Sequence, residues 1–309
     1  MTPLLFALPG AEAWPARLQA DWRCDTAPLR LHRFPDGECC PRFGAALDGR
    51  DVVLVAAPEG PDAGLFALYL CASVARELGA RSVGLVLPYL PYMRQDAAFE
   101  PGQGVTSLHV ARLLSGCADW LATVDPHLHR HATLGHAYTL AAEAVPSAPA
   151  IALWLAANVT RPYLVGPDGE SAQWVSEVAR LAGCPWTVLE KQRHGDRDVS
   201  VADTAARLGD IGGAAPVLVD DMASSGRTMA AAVRLLKQAG LAAPVCVVVH
   251  ALFGSDALAT LRRAGPARII SCNTVAHASN GIDVAPQLAR AAERLCRAAQ
   301  RRREPGVPV

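Results

Sequence analysis

Short runs of apolar residues recur along the whole chain, and longer stretches with apolar positions at helical spacing lie between them. In the first half the short runs fall at residues 4–8, 52–56, 83–87 and 121–124, with helical stretches at 64–78 and 105–114. In the second half they fall at 163–165, 187–189, 217–219, 245–249 and 269–271, with helical stretches at 172–181 and 228–238. The runs are apolar at successive positions rather than at alternate ones, as in strands covered on both faces. Strands alternating with helices predict an α/β fold in which mainly parallel sheets are flanked by helices. The halves read as weak structural duplicates. Run 52–56, a loop with Gly60 and Gly64, and a helix to Leu78 mirror run 217–219, its loop and its helix. Turn chemistry at 145–149 places a boundary there, giving domains 1–145 and 146–285 and a C-terminal helix and tail, 286–309. In that last helix Arg290, Arg294, Arg297 and Arg301 share one face, which reads as a solvated surface.

One segment carries more chemistry than the rest. After the run Val217 to Val219 come two adjacent carboxylates, Asp220 and Asp221, then a small-residue loop, Ala223-Ser224-Ser225-Gly226, then a helix opening at Thr228 and closed by Gly240. A strand, a small polar loop and a helix N-terminus form an anion site, where backbone N–H groups, hydroxyls and the helix dipole favour a phosphate. The two aspartates can accept hydrogen bonds from vicinal sugar hydroxyls beside that phosphate. A βα turn capped by Ser and Thr is the ordinary alternative, but paired aspartates at the end of a buried strand are unusual in a mere turn.

Composition narrows the setting. The chain has 309 residues, enough for two domains, and 51% of them are apolar, enough for a substantial core. Formal net charge is zero, so nothing global points to nucleic acid or a membrane surface. The longer apolar stretches are broken by charges and glycines, and no transmembrane helix is expected. Nine cysteines without paired spacing, and a start without a basic leader, read as a reducing cytoplasm. Lys191 and Lys237 are the only lysines.

Five other segments put polar groups at strand ends or turns. Arg33-Phe34-Pro35-Asp36-Gly37-Glu38 is a turn with an aromatic and two acids. Tyr92-Met93-Arg94-Gln95-Asp96 follows the run 83–87 and offers a cation, an amide and an acid; a structural salt bridge is its plainer explanation. Asp125-Pro126-His127-Leu128-His129-Arg130-His131 allows a three-histidine metal site, a solvated strand end, or a Mg²⁺ contact through His127 and Asp125 alone. Asp168 sits in a turn before a helix, and Lys191 with Arg193 could stabilise charge on a transferring phosphoryl group or simply be solvated.

Taken in order, these segments resemble ribose-phosphate pyrophosphokinases (PRPP synthetases), with the wording of Asp125-Pro126-His127 and of Thr228-Met229-Ala230 similar to archaeal-type members. The resemblance implies two tandem phosphoribosyltransferase-like domains, the first without a sugar-phosphate loop. It implies transfer of diphosphate from Mg-ATP to O1 of ribose 5-phosphate, giving PRPP and AMP. Arg94, Gln95 and Asp96 would bind ATP. Phe34, Asp36 and Glu38 would complete the adenine site, in the family often from a neighbouring subunit, which implies a homo-oligomer of two or more copies. His127 and Asp168 would hold Mg²⁺, directly or through water. Lys191 and Arg193 would sit on the family's catalytic loop. Asp220 and Asp221 would bind ribose hydroxyls, and Ser224, Ser225, Gly226, Arg227 and Thr228 the 5-phosphate.

Three positions depart from the family pattern. Arg227 stands where Gly is usual, and a positive φ there would cost about 1 kcal/mol. Glu170 and Ser171 replace smaller residues, and Ala97 replaces a basic one. Two rival readings are a phosphoribosyltransferase that consumes PRPP and a non-catalytic regulatory homologue.

Overall fold

The computed structural model describes residues 2–57, 60–128, 130, 133–189 and 213–302. The chain divides into two compact units, 1–146 together with 285–309, and 147–284.

The first unit is built on a six-stranded parallel sheet. Its elements are β1 (Leu4–Ala7), α1 (Trp14–Gln19), β2 (Asp25–Thr26), β3 (Leu29–Arg33), β4 (Cys39–Phe43), β5 (Asp51–Val55), α2 (Pro61–Glu77), β6 (Ser82–Leu87), α3 (Thr106–Cys117), β7 (Trp120–Val124) and β8 (Ala141–Val145). The strand order is β2-β1-β5-β6-β7-β8, while β3 and β4 form a separate antiparallel hairpin. Every residue of β5, β6 and β7 is buried, which is why these strands read as unbroken apolar runs. Phe6, Leu54, Leu85 and Leu121 from the sheet pack with Leu68 and Ala72 of α2 and Leu114 of α3.

The second unit contains α4 (Ala148–Asn158), β9 (Pro162–Gly166), α5 (Ala172–Ala182), β10 (Trp186–Val188), β11 (Ala215–Met222), α6 (Arg227–Gln238), β12 (Val245–His250), α7 (Ala257–Ala264), β13 (Arg268–Cys272) and β14 (Asn280–Ile282). Its sheet is again six-stranded and parallel, in the order β10-β9-β11-β12-β13-β14. Counted within each unit, both sheets run 2-1-3-4-5-6. The repeat read from the sequence is therefore a repeat of topology. Here Val165, Leu218 and Val248 pack with Val233 and Leu236 of α6 and Leu261 of α7.

The C-terminal helix α8 (Ala285–Arg302) belongs to the first unit and packs against β6, β7 and β8. Leu288, Ala289, Ala292 and Cys296 form its buried side. Its arginines lie outward, Arg290 beside Asp21, Arg294 beside Glu143 and Arg297 beside Glu293. Gln300 reaches inward, and its amide donates to Asp51 at 2.7 Å. Asp51 is 1% exposed and also accepts from Arg81 Nε at 3.0 Å and Ser82 Oγ at 2.6 Å, so one carboxylate ties β5, β6 and α8 together. Burial pushes this carboxyl up, but the bonds from Arg81, Ser82 and Gln300 hold it below its ordinary pKa.

Among the described residues no helix is long and apolar enough to cross a membrane. All nine cysteines are free thiols, six of them buried.

Candidate active site

In the second sheet the chain goes from β9 out to β10 and returns on the other side of β9 as β11. The carboxyl ends of β9 and β11 thus flank the point where strand order reverses, the crevice in which open parallel sheets bind ligands. Two of the sequence segments meet there. Past β9, Asp168 Oδ1 accepts from the N–H groups of Glu170 (3.1 Å) and Ser171 (3.3 Å), capping a 3-10 turn, Gly169–Ser171, that leads into α5. The Ser171 hydroxyl donates back to the Asp168 carbonyl at 2.5 Å. That turn packs beside β11.

The sequence placed the aspartate pair just beyond its strand. Instead β11 continues through both to Met222, because Asp220 and Met222 still pair with Val248 and His250 of β12. Successive side chains of a strand leave opposite faces, so the two carboxylates are not equivalent. Asp220 is half-buried and accepts the Asp221 N–H at 3.1 Å; Asp221 is buried. Burial, then the charges of Asp221 and Asp168, push the Asp220 carboxyl well above its ordinary pKa, and Glu170 adds to the effect. A carboxylate so crowded by others favours hydroxyl donors or a cation as its partner. Oxygen donors with surplus negative charge fit Mg²⁺, which keeps several waters and needs few protein ligands.

The loop that follows is pinned at both ends. Ala223 N–H donates to the His250 carbonyl at 3.2 Å, and Gly254 N–H donates to the Ser224 carbonyl at 3.0 Å. Gly226 has φ +67°, and a Cβ there would lie 2.7 Å from the Ala257 carbonyl oxygen, so only glycine fits. The left-handed position is thus Gly226, while Arg227 is the first residue of α6, in helical backbone. The strain that a positive φ would bring at Arg227 therefore does not arise. Ser225 and Arg227 are exposed, and Ser224 and Thr228 half-buried, around the helix N-terminus. These hydroxyls and the N–H groups of the first turn can surround an anion.

The first sheet has the same reversal between β1 and β5. A cavity of about 350 Å³ lies there, lined by Leu8, Gly10, Arg33, Ala56, Gly60 and Gly64 among others. Ala56 and Ala57 follow β5 where Asp220 and Asp221 follow Val219, so the crevice is repeated without its acids.

Arg94, Gln95 and Asp96 lie on the loop between β6 and α3. The loop is held at several points. The Tyr92 hydroxyl donates to the Asp62 carboxylate, Gln95 N–H donates to the Tyr92 carbonyl at 2.9 Å, and Ser107 N–H donates to the Gln95 carbonyl at 3.2 Å. Arg94 and Gln95 are exposed. Asp96 turns inward and pairs with Arg130 Nη1 at 2.8 Å, so the salt bridge weighed for this trio does form, through its acid alone. Asp125 and His127 follow the adjacent strand β7 and are half-buried. Tyr92 (φ 68°) and Asp125 (φ 32°) adopt left-handed backbone without being glycine. Such positions cost about 1–3 kcal/mol each and cluster at functional sites.

Phe34, Asp36 and Glu38 sit at the tip of the β3–β4 hairpin. The turn is closed by Phe34 N–H to the Glu38 carbonyl (2.8 Å) and Glu38 N–H to Asp36 Oδ1 (3.1 Å), and Phe34 is exposed. Lys191, Arg193, His129 and His131 lie outside the described residues. Among the described residues no group of three His, Cys, Asp or Glu is arranged to hold a metal. Arg130 carries no signal of its own in the sequence. It lies in the segment already singled out for its histidines, but its partner is 34 residues away and only the fold reveals it.

The family described as the N-terminal domain of ribose phosphate pyrophosphokinase matches residues 4–117, and the phosphoribosyl transferase domain matches residues 149–287. The ribose-phosphate pyrophosphokinase of Methanopyrus kandleri is 36% identical over 90% of this chain and 94% of its own. That of Halobacterium salinarum is 33% identical over 84% of this chain and 89% of its own. In fold, the crystal structure of phosphoribosylpyrophosphate synthetase from Mycobacterium smegmatis matches with a TM-score of 0.82 at 21% identity, covering 96% of this chain and all of that one.

Proposed function

This chain belongs to the ribose-phosphate pyrophosphokinase family, and we propose that it transfers the β,γ-diphosphate of Mg-ATP to O1 of ribose 5-phosphate. O1 attacks the β-phosphorus, the bond from that phosphorus to the α,β-bridging oxygen breaks, and the O1 proton is lost. PRPP and AMP are the products. One observation carries the reading: a carboxylate pair at the strand-order reversal of the second sheet runs directly into an anion cradle shaped by Gly226.

A ribose whose 5-phosphate rests at Ser224, Ser225, Gly226, Arg227 and Thr228 lays its hydroxyls towards Asp220 and Asp221. Hydroxyl donors relieve the crowding that lifts the Asp220 pKa. Arg94 and Gln95 act on ATP. Phe34, Asp36 and Glu38, on an exposed hairpin tip, reach the adenine of a neighbouring copy in a homo-oligomer. His127 and Asp168 serve magnesium, directly or through water. When bound, Mg²⁺ neutralises phosphate charge and orients the diphosphate. Lys191 and Arg193 stabilise the charge that builds on the transferring group. A phosphoribosyltransferase that only consumes PRPP has no use for the Arg94–Gln95 and hairpin segments.

Kinetics of Asp220→Asn and Asp221→Asn test the reading. Each change removes a charge-assisted acceptor, worth roughly 1.5–3 kcal/mol, so the KM for ribose 5-phosphate should rise ~10- to 100-fold. The KM for ATP should move far less. Unchanged ribose 5-phosphate kinetics in both variants would place the sugar elsewhere.

A further inference from the structure

The loop after β6 and the loop after β7 leave the carboxyl ends of neighbouring parallel strands, and one side chain from each meets the other. Asp96 is 2% exposed in its side chain, yet only one of its oxygens is used, by Arg130 Nη1. Its Oδ2 is buried without a hydrogen-bond partner among the described residues. Arg130, in contrast, keeps 54% of its side chain exposed and lies over the ring of Phe99, 5.6 Å from the centroid. Phe99 is itself 58% exposed.

This is a poor design for a purely structural ion pair. A fork-to-fork pair would use both carboxylate oxygens and fix two guanidinium donors. Here a buried anion holds a cation by one donor, and an aromatic face sets the plane of the guanidinium. Among the described residues Arg130 uses one of its five N–H donors, which leaves four for other partners. The group stands on the same loops as Arg94, Gln95 and His127. A pre-oriented guanidinium with spare donors matches the geometry of phosphoryl oxygens, the charged groups that ATP presents.

We propose that Arg130, held by Asp96 and Phe99, is a nucleotide-contacting residue that donates to the phosphate oxygens of ATP. Asp96 then acts on the nucleotide through Arg130, as a positioning residue, rather than by touching it. The inference rests on the proposed function, because it takes ATP to be the ligand of this segment.

Calorimetric binding of Mg-ATP and of adenosine to the full chain, with steady-state kinetics, tests it. Arg130→Gln keeps length and a donor at an exposed position but removes the charge. It should weaken Mg-ATP binding ~10- to 100-fold, as expected for losing charged donors to phosphate. Adenosine binding and the KM for ribose 5-phosphate should hold, which also shows that the variant is folded. Asp96→Asn should weaken Mg-ATP by a smaller factor, and by nothing further in the Arg130→Gln background, since its effect runs through that residue. Equal loss of ATP and adenosine, or full additivity of the two changes, would overturn the assignment in favour of a structural pair. Normal Mg-ATP binding by Arg130→Gln would overturn it while leaving the proposed function standing. Wild-type protein that binds no Mg-ATP would overturn both.

Discussion

Lys191→Ala should lower kcat by ~100-fold or more while the KM for ribose 5-phosphate stays nearly constant, the signature of a charge stabiliser that acts in the transition state. The chain holds only two lysines. The other, Lys237, is spent on structure: its ammonium donates to the Ala264 carbonyl at 3.3 Å, at the carboxyl end of α7, where a cation is favoured. Lys191 follows the run 187–189, next to Arg193, in a polar stretch where a compact ammonium can meet phosphate oxygens. Charge on the oxygens around the β-phosphorus changes most between ground and transition states. An ammonium directed there contributes little to ground-state affinity and much to rate. Rapid-quench measurement of AMP formation at saturating substrates separates the two. A variant with wild-type kcat and a raised KM would make Lys191 a binding residue only.

Arg81→Ala should destabilise the protein by about 3–5 kcal/mol, the usual cost of leaving a buried charge without its partner. The carboxylate left behind is Asp51, 1% exposed, with Ser82 and Gln300 its remaining partners among the described residues. The pH dependence gives an independent check. Asp51 has a depressed pKa when folded, so its contribution is fully present above the unfolded carboxylate pKa of roughly 3.9 and is lost as pH falls through the folded value. The penalty in Arg81→Ala should therefore be largest at neutral pH and shrink as the solution is acidified. Urea unfolding of both proteins between neutral and acid pH measures it. A penalty that does not change with pH would mean that Arg81 stabilises by packing rather than by charge.

What the sequence revealed and what it hid follow from the same physics. β5, β6, β7 and β12 are covered on both faces and announce themselves as apolar runs. The β3–β4 hairpin is half-exposed along its length, with Pro41 in one strand, so it carries neither an apolar run nor clean alternation. β14 is three residues, Asn-Gly-Ile, held by Asn280 donating to Ser271 Oγ (2.9 Å) and to the Cys272 carbonyl (2.8 Å), a polar tie with no hydrophobic signature. α4 is apolar on nearly every side, which erases the periodicity that marks a helix. The last residues of β11 are hidden for a related reason: aspartates look like the end of a strand, yet ladder bonds to β12 carry them inside it.

The chemistry was more legible than the fold, because its residues are consecutive. Asp220 to Thr228 form one uninterrupted string, and their arrangement needs only local geometry. Contacts made across loops were invisible. Nothing in the sequence pairs Asp96 with Arg130, or brings Asp168 and Glu170 to bear on Asp220.

Product analysis tests the central claim most directly. The purified chain is incubated with ATP, Mg²⁺ and ribose 5-phosphate, and AMP, ADP and PRPP are quantified over time. The account predicts that AMP and PRPP accumulate in equal amounts, that ADP stays at background, and that chelation of Mg²⁺ stops the reaction. ADP in place of AMP, or no PRPP from any pentose phosphate, would contradict it.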